Sequence, residues 1–203
     1  MKKVMLCVAA AFLLVACGGK SGPCPSGATV HKEVLVKEPY AGHKVFACLT
    51  PLGKKKGAWV RYYPNGETAS EGEYRNGKKE GKWTDWHENG QKASEGEYRN
   101  GEKHGKWSGW HWNGQKAKEG EYRNGKPHGK ATSWQENGQK WGASEYRAGK
   151  PHGKLTVWYK NGQKKIEGEH SDGAPHGKVT HWNEDGSLDR VEHYDNGKLI
   201  KTE

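Results

Sequence analysis

The stretch EGEYRNGKKEGKWTDWHENGQ, residues 71–91, contains the pattern that decides the fold. It holds two Asn-Gly pairs, Asn76-Gly77 and Asn89-Gly90, separated by a short segment that mixes aromatic and charged residues. Asn-Gly is the strongest local signal for a tight β-hairpin turn, because a type I′ turn needs positive φ at both central residues. The stretch therefore predicts short antiparallel strands joined by two-residue turns.

This unit recurs six times with a period of 24 residues. Repeats one to six each open with a glycine, and an aromatic residue follows five positions later; the glycines are Gly57, Gly81, Gly105, Gly129, Gly153 and Gly177. Of the twelve turn positions, nine are Asn-Gly, two are Asp-Gly and one is Ala148-Gly149. With residues 46–53 as a partial first repeat, the pattern predicts an all-β, elongated, single-layer antiparallel meander of about twelve strands.

The composition agrees with a sheet that has no thick core. The chain has 203 residues, of which 32% are hydrophobic, with thirty glycines, ten tryptophans and nine tyrosines. Aliphatic residues are sparse after residue 53, so aromatic side chains must supply most of the buried apolar area. Disordered chains are poor in aromatic residues, and the composition therefore excludes plain disorder.

The segments at residues 71–91 and 119–130 (EGEYRNGKPHGK) resemble MORN repeats of the bacterial variant. The resemblance extends over about residues 46–203 and rests on spacing, glycines and aromatics that recur together. Members of that family form elongated single-layer sheets that serve as scaffolds or protein-binding surfaces, and phospholipid contacts are proposed for some. The resemblance implies a non-catalytic binding or scaffold module without a cofactor. The alternative is an antitoxin- or immunity-like protein that neutralises a toxin partner, since some bacterial relatives have that role.

The N-terminus resembles an export signal. Residues 1–16, MKKVMLCVAAAFLLVA, have a basic start and an apolar run of thirteen residues, too short for a transmembrane helix and typical of a signal peptide. Leu14-Val15-Ala16-Cys17 resembles the lipobox of bacterial lipoproteins, which implies lipidation of Cys17 after cleavage. Gly18 resembles the sorting residue of lipoproteins sent to the outer membrane of Gram-negative bacteria. The alternative is an ordinary signal peptide followed by an incidental cysteine.

The chain accordingly divides into three parts. These are a signal peptide at residues 1–16, a lipidated cysteine and tether with an N-terminal segment at 17–45, and the repeat domain at 46–203. Cleavage would remove Cys7, and lipidation would use Cys17. Cys24 and Cys48 are left to pair in an oxidising compartment, which would stabilise the fold by about 3 kcal/mol.

Two-residue turns would also set the pairing between strands. They place Trp83 opposite Gly96 and Trp86 opposite Ala93, and they give the same arrangement one repeat later for Trp107 with Gly120 and Trp110 with Ala117. Large rings then lie beside small residues. Strict alternation puts Trp83 and Trp86 on opposite faces, whereas a bulge between them would bring both rows together. The sequence leaves this choice open.

Trp112 and Trp141 break the repeat, because other residue types stand at their positions elsewhere. Two-residue turns place Trp141 opposite Trp134 and Trp112 opposite Gln115. We consider an aromatic platform suited to stacking on sugar rings or holding a partner's side chains, formed by Trp110, Trp112, Trp134 and Trp141. The alternative is that these two tryptophans compensate for lost packing in the same region, where Ala131 replaces the tryptophan of the repeat.

Four histidines recur at one repeat position: His104, His128, His152 and His176. Neighbouring copies are two strands apart, about 10 Å, which is too far for one metal ion to bridge, and no metal site is predicted. Each histidine is instead expected to face a glutamate and to form a weak ion pair of about 0.2–1 kcal/mol; the glutamates are Glu97, Glu121, Glu145 and Glu169.

The charge indicates what kind of partner the chain has. The formal net charge is +10, spread over turns and strand ends. For an exported protein we expect a protein partner or an anionic lipid or glycan of the envelope, with a lipid anchor in the membrane and no nucleic acid. No catalytic constellation or phosphate-binding loop is recognisable, so an enzyme is not predicted.

Overall fold

The computed structural model describes residues 29–35, 44–49 and 54–203. They form one antiparallel sheet of fifteen strands whose order in space follows their order in the chain. The strands are β1 (Thr29–Leu35), β2 (Lys44–Leu49), β3 (Lys55–Tyr62), β4 (Thr68–Arg75), β5 (Lys78–Trp86), β6 (Lys92–Arg99), β7 (Glu102–Trp110), β8 (Lys116–Arg123), β9 (Lys126–Trp134), β10 (Lys140–Arg147), β11 (Lys150–Trp158), β12 (Lys164–Ser171), β13 (Ala174–Trp182), β14 (Leu188–Asp195) and β15 (Lys198–Thr202). The predicted all-β meander of stacked hairpins is confirmed.

The sheet has more strands than the twelve or so predicted. The additional strand at the beginning, β1, pairs with β2 and places Val30 opposite Cys48. No Asn-Gly pair adjoins β1, so the turn pattern that predicted the other strands did not predict this one. The signal segment, Cys17 and Cys24 lie outside the described residues, and the predicted disulfide stays a prediction. No helix able to cross a membrane is found in the part of the chain that the structure describes.

The shorter turns are the predicted two-residue type. Arg75 pairs with Lys78 across Asn76 and Gly77, whose φ values are 52° and 79°. Both angles are positive, as a type I′ turn requires. The first turn residue has positive φ in all six copies: Asn76, Asn100, Asn124, Ala148, Asp172 and Asn196.

The alternate turns are longer, and here the two-residue prediction is wrong. The His87 amide donates to Gln91 O over 2.8 Å, and the Gly90 amide donates to His87 O over 3.0 Å. Only Gly90 has positive φ, at 78°. This is a three-residue loop, a type I turn closed by a glycine bulge. The same Asn-Gly pair therefore makes two kinds of turn in this sheet, a two-residue turn and a three-residue loop.

A bulge compensates for the extra loop residue. Trp86 pairs with Lys92, while Asp85 pairs with Ser94, so Ala93 bulges between them. The predicted Trp83–Gly96 pair is confirmed, and so is Trp107–Gly120. The predicted Trp86–Ala93 and Trp110–Ala117 pairs are wrong, because the loop shifts their partners by one residue to Lys92 and Lys116.

The pairing also shows which face each tryptophan occupies. Residues 83, 84, 85 and 86 are all paired in sequence, so their side chains alternate and no bulge separates Trp83 from Trp86 on this strand. The two tryptophan rows lie on opposite faces. We call the face of Trp83 the aromatic face and the face of Trp86 the ionic face.

The core is a row of rings on the aromatic face. The rings of Trp83 and Tyr74 meet edge to face with centroids 5.2 Å apart, and the row runs through Trp59, Tyr74, Trp83, Tyr98, Trp107 and Tyr122. Trp83 is only 1% exposed, although the sheet is a single layer. Its ring lies against Gly72 of the preceding strand rather than against its backbone partner Gly96; a Cβ at Gly72 would be 2.3 Å from the ring. The expected packing of large on small is therefore present, but with the other neighbouring strand.

Candidate binding surface

Lysine side chains cover the rings of the aromatic face. The Lys79 amine lies 3.9 Å from the Trp83 ring centroid, and the Lys103 amine lies 4.2 Å from that of Trp107. Such cation–π contacts stabilise the ring row by about 0.5–2 kcal/mol each. Burial against the rings lowers the pKa of Lys79 and raises the pKa of Tyr98. The chain's own cations thus occupy the ring faces, and this row serves the fold.

The ionic face carries a triad of two lysines and one glutamate in several repeats. In repeat two, the amines of Lys82 and Lys92 lie 2.9 and 2.8 Å from one oxygen of the Glu95 carboxylate. The hydrogen bond from Lys92 is the main cause that lowers the pKa of Glu95. Repeats three and five contain the same triad, formed by Glu119 with Lys106 and Lys116 and by Glu167 with Lys154 and Lys164.

The second lysine of each triad also covers a tryptophan. The Lys92 amine lies 5.8 Å from the centroid of Trp110, and the Lys116 amine lies 5.6 Å from that of Trp134. Both indoles are half-buried. These two members of the predicted platform therefore lie beneath lysines on the ionic face. The triads were not predicted, although lysines one and eleven positions after the opening glycine and a glutamate fourteen after it are visible in the sequence.

The three-residue loops stack along one edge of the sheet, which we call the long-loop edge. Asn89 Nδ2 donates to Trp112 O over 2.8 Å, and Asn113 Nδ2 donates to Glu136 O over 2.8 Å. His87 Nε2 lies 3.0 Å from Trp110 O, so Nε2 carries the proton. A shallow groove of about 490 Å³ opens at this edge, lined by Gln91, Lys92, Trp110, Asn113, Gly114 and Gln115.

Trp112 and Trp141 are exposed at this edge. Trp112 is 53% exposed within its loop and contacts the His87 ring at 5.0 Å, and Trp141 is 51% exposed. Trp141 is the bulge residue between Lys140, which pairs with Trp134, and Gly142. The predicted Trp141–Trp134 pair is wrong because the loop has three residues.

The predicted pairing of Trp112 with Gln115 is wrong for the same reason. The amide of His111, not of Trp112, donates to Gln115 O, over 2.8 Å. The four candidate tryptophans thus divide into two on the ionic face, Trp110 and Trp134, and two exposed ones at the long-loop edge. Within residues 54–203, no two of their rings contact each other.

The histidine row has the predicted backbone partners in three cases. His104 pairs with Glu97, and the equivalent pairs form at His128 with Glu121 and His176 with Glu169. At His152 a register shift intervenes, and Nδ1 lies 3.8 Å from Asp172 Oδ1. The predicted ion pairs with glutamate do not form among residues 54–203, where the histidine ion pairs are those of His152, His181 and His193. The described residues contain no group of three side chains able to hold a metal ion.

The last repeat has a closed polar network on the aromatic face. Glu192 accepts hydrogen bonds from Arg190 Nε at 2.8 Å and Tyr194 Oη at 3.0 Å, and His181 Nε2 lies 2.8 Å away. The Arg190 hydrogen bond is the main cause that lowers the pKa of Glu192 to about 2. The carboxylate is thus already satisfied by groups of the chain itself.

Comparison with known families identifies the repeat. The MORN repeat variant matches residues 55–76, 79–100, 151–172 and 175–196, and the MORN repeat matches residues 71–82, 95–106 and 119–140. Together these matches cover more than half of the chain. No curated protein gives a match. Repeats of this kind suggest a binding or scaffold module. The single-layer sheet of stacked hairpins and the two sets of matches lead to one conclusion: the chain belongs to the MORN-repeat family.

Proposed function

We propose that this protein is an exported, lipid-anchored scaffold that binds an envelope component at the long-loop edge. The observation that carries the proposal is the contrast between two parts of one sheet. Lysines close the rings of the aromatic face, whereas the long-loop edge leaves Trp112 and Trp141 half-exposed. Large exposed indoles are typical of binding surfaces, because they bury much apolar area at a low entropic cost.

The sequence before the sheet supports the location. The apolar run and the Leu14-Val15-Ala16-Cys17 motif resemble a lipoprotein signal, and the glycine- and serine-containing residues that follow suit a tether. A net charge of +10 favours attraction to anionic lipids and glycans of the envelope. A lipid anchor would hold the sheet at that surface.

Lipid anchoring is tested by a single substitution with a matched control. We expect Cys17→Ala to abolish incorporation of a labelled fatty acid and to move the protein out of the membrane fraction. Cys7→Ala removes a cysteine of the signal segment and should change neither result. Membrane retention and labelling in Cys17→Ala would contradict the proposed anchor.

Binding is tested by affinity capture from solubilised envelopes with the full chain. We expect the Trp112→Ala/Trp141→Ala variant to lose the bound component, since both rings are exposed and contribute little to the core. The control is Leu188→Ala/Leu199→Ala, which removes two other exposed apolar side chains. Capture by Trp112→Ala/Trp141→Ala equal to that by the original chain would show that these two indoles do not form the binding surface.

A further inference from the structure

Repeat four lacks the central carboxylate of the triad on the ionic face. Ala143 stands where repeats two, three and five have Glu95, Glu119 and Glu167. The flanking lysines, Lys130 and Lys140, are both present in repeat four. Repeat one has the glutamate without the lysines, and repeat six has neither the glutamate nor the second lysine. Of the six repeats, repeat four alone has two triad lysines without an acid.

The backbone places Ala143 where the glutamate stands in the other repeats. Ala143 pairs with Thr132 on one side and Thr156 on the other. Glu167 likewise pairs with Thr156 and Thr180, and Thr156 Oγ1 lies 3.4 Å from its carboxylate. The frame of two cations and flanking hydroxyls is therefore retained in repeat four. Only the acid is replaced by a methyl group, and we call this position the acid slot.

The two lysines of the acid slot are uncompensated. Within residues 54–203, neither Lys130 nor Lys140 forms an ion pair, and both are exposed. Lys140 also makes no cation–π contact with Trp158, although its counterparts Lys92, Lys116 and Lys164 each cover the equivalent tryptophan. The carboxylate thus both neutralises the lysine pair and fixes the second amine over its ring. Repeat four therefore has a site for a carboxylate, and the chain itself does not supply one there.

We propose that the acid slot, formed by Lys130, Lys140 and the space above Ala143, binds the carboxylate of an acidic sugar in an envelope glycan. The proposal names a ligand for the ionic face of repeat four, where Lys140 adjoins the long-loop edge, and it rests on the proposed binding function; its test in solution does not depend on export or lipidation. The three filled triads show that this frame accepts a carboxylate with both amines about 3 Å from one oxygen.

The surroundings of the acid slot favour a sugar over other carboxylates. Trp141, half-exposed, directly follows Lys140 in the chain, and a flat indole can stack on the C–H face of a pyranose ring. Farther along the same edge, the shallow groove of repeats two and three is lined by Gln91 and Gln115, whose side-chain amides can hydrogen-bond to hydroxyl groups. A linear acidic glycan lying along the long-loop edge would meet aromatic, amide and cationic groups in turn.

The first test is a calorimetric titration of the full chain with a trimer of galacturonic acid. Its methyl ester has the same rings and hydroxyls without the charge and is the matched ligand control. We expect the acid to bind about tenfold more tightly than the ester and to weaken as salt rises, because exposed cations are screened. Equal binding of acid and ester would overturn the proposal.

The second test places a carboxylate of the chain itself in the acid slot. Ala143→Glu should form a fourth triad and lower the affinity for the trimer about tenfold, whereas Ala143→Gln, of nearly the same size, should lower it much less. Lys130→Met and Lys140→Met should each weaken binding about threefold. Lys106→Met is the charge-matched control, since Lys106 belongs to a filled triad, and it should bind like the original chain.

These outcomes separate the acid slot from the wider proposal. Unchanged affinity in Ala143→Glu would exclude the slot, and tighter binding of a glutamate-rich peptide than of the trimer would replace the sugar with a protein ligand. Neither result would affect envelope capture through Trp112 and Trp141. Conversely, if Cys17→Ala stayed in the membrane fraction, the proposed anchor would be contradicted, and the titration results would not be affected.

Discussion

At the scale of single residues, a tryptophan and a glycine form the unit of packing. Trp83 is buried in a one-layer sheet because Tyr74 meets it edge to face, Lys79 covers it, and Gly72 lets its ring approach the backbone. Gly96 holds Trp107 in the same way, with a Cβ position 2.2 Å from the ring. Neither Gly72 nor Gly96 has positive φ, so these glycines are required for space and not for backbone conformation.

Gly72→Ala should therefore destabilise the sheet by about 1–3 kcal/mol, the range for an overpacked site, because the ring is enclosed and cannot move away. Urea unfolding followed by tryptophan fluorescence measures this change. Gly142→Ala is the control, since its φ is not positive and nothing lies within 4 Å of its Cβ position. Equal midpoints for the two variants would contradict the packing argument.

At the scale of elements, asparagine has different tasks in the two kinds of turn. In the short turns it adopts positive φ, which aspartate also tolerates, as Asp172 does here. In the long loops its amide nitrogen donates to the next repeat, as from Asn113 to Glu136 O, while its oxygen accepts from the Gln115 amide at 3.0 Å. The long-loop asparagine is thus a cross-link between neighbouring hairpins.

We expect Asn113→Asp to lower the free energy of unfolding by about 1–3 kcal/mol, because a carboxylate cannot donate and would face the Glu136 carbonyl. Asn124→Asp, in the adjacent short turn, makes the same chemical change where φ is 50° and should have little effect. The shift of the urea midpoint in each variant gives the comparison. A larger loss in Asn124→Asp would show that turn geometry, and not the cross-link, dominates.

At the scale of the whole molecule, the sheet is held together by contacts between neighbouring strands, and the junction between repeats four and five lacks the asparagine cross-link of the others. Long-loop asparagines bridge to the next loop at Asn65, Asn89, Asn113 and Asn161. Asn137 instead contacts Gln139 of its own loop, and Gln135 reaches Tyr159 O only at 3.4 Å. Repeat four also has Ala131 where the first three repeats have tryptophan. Stability in such a molecule is a sum of local terms, so it should yield first where those terms are weakest.

Among the interior strands β4 to β13, hydrogen exchange should therefore be fastest for the amides that join β10 to β11. Mass spectrometry of peptides from the exchanged full chain resolves this junction from the equivalent one between β6 and β7. There the long loop before β6 is cross-linked through Asn89 to the long loop after β7. Opening at β10 should precede global unfolding, since local units open independently in repeat proteins. Uniform protection from β4 to β13 would contradict a weak junction.

The sequence by itself determined what depends on local chemistry. The period of 24, the strand order and the short turns follow from Asn-Gly pairs such as Asn76-Gly77, because positive φ is a property of the turn residues themselves. The Trp83–Gly96 pair was also predictable, since the long loop and the bulge at Ala93 cancel. The tertiary structure alone decided the three-residue loops, the separation of Trp83 and Trp86 onto opposite faces, and the convergence of Lys82 and Lys92 on Glu95. Those features depend on hydrogen bonds and side-chain contacts between strands, and register across a bulge is set by the neighbouring strand and not by the residues of the turn.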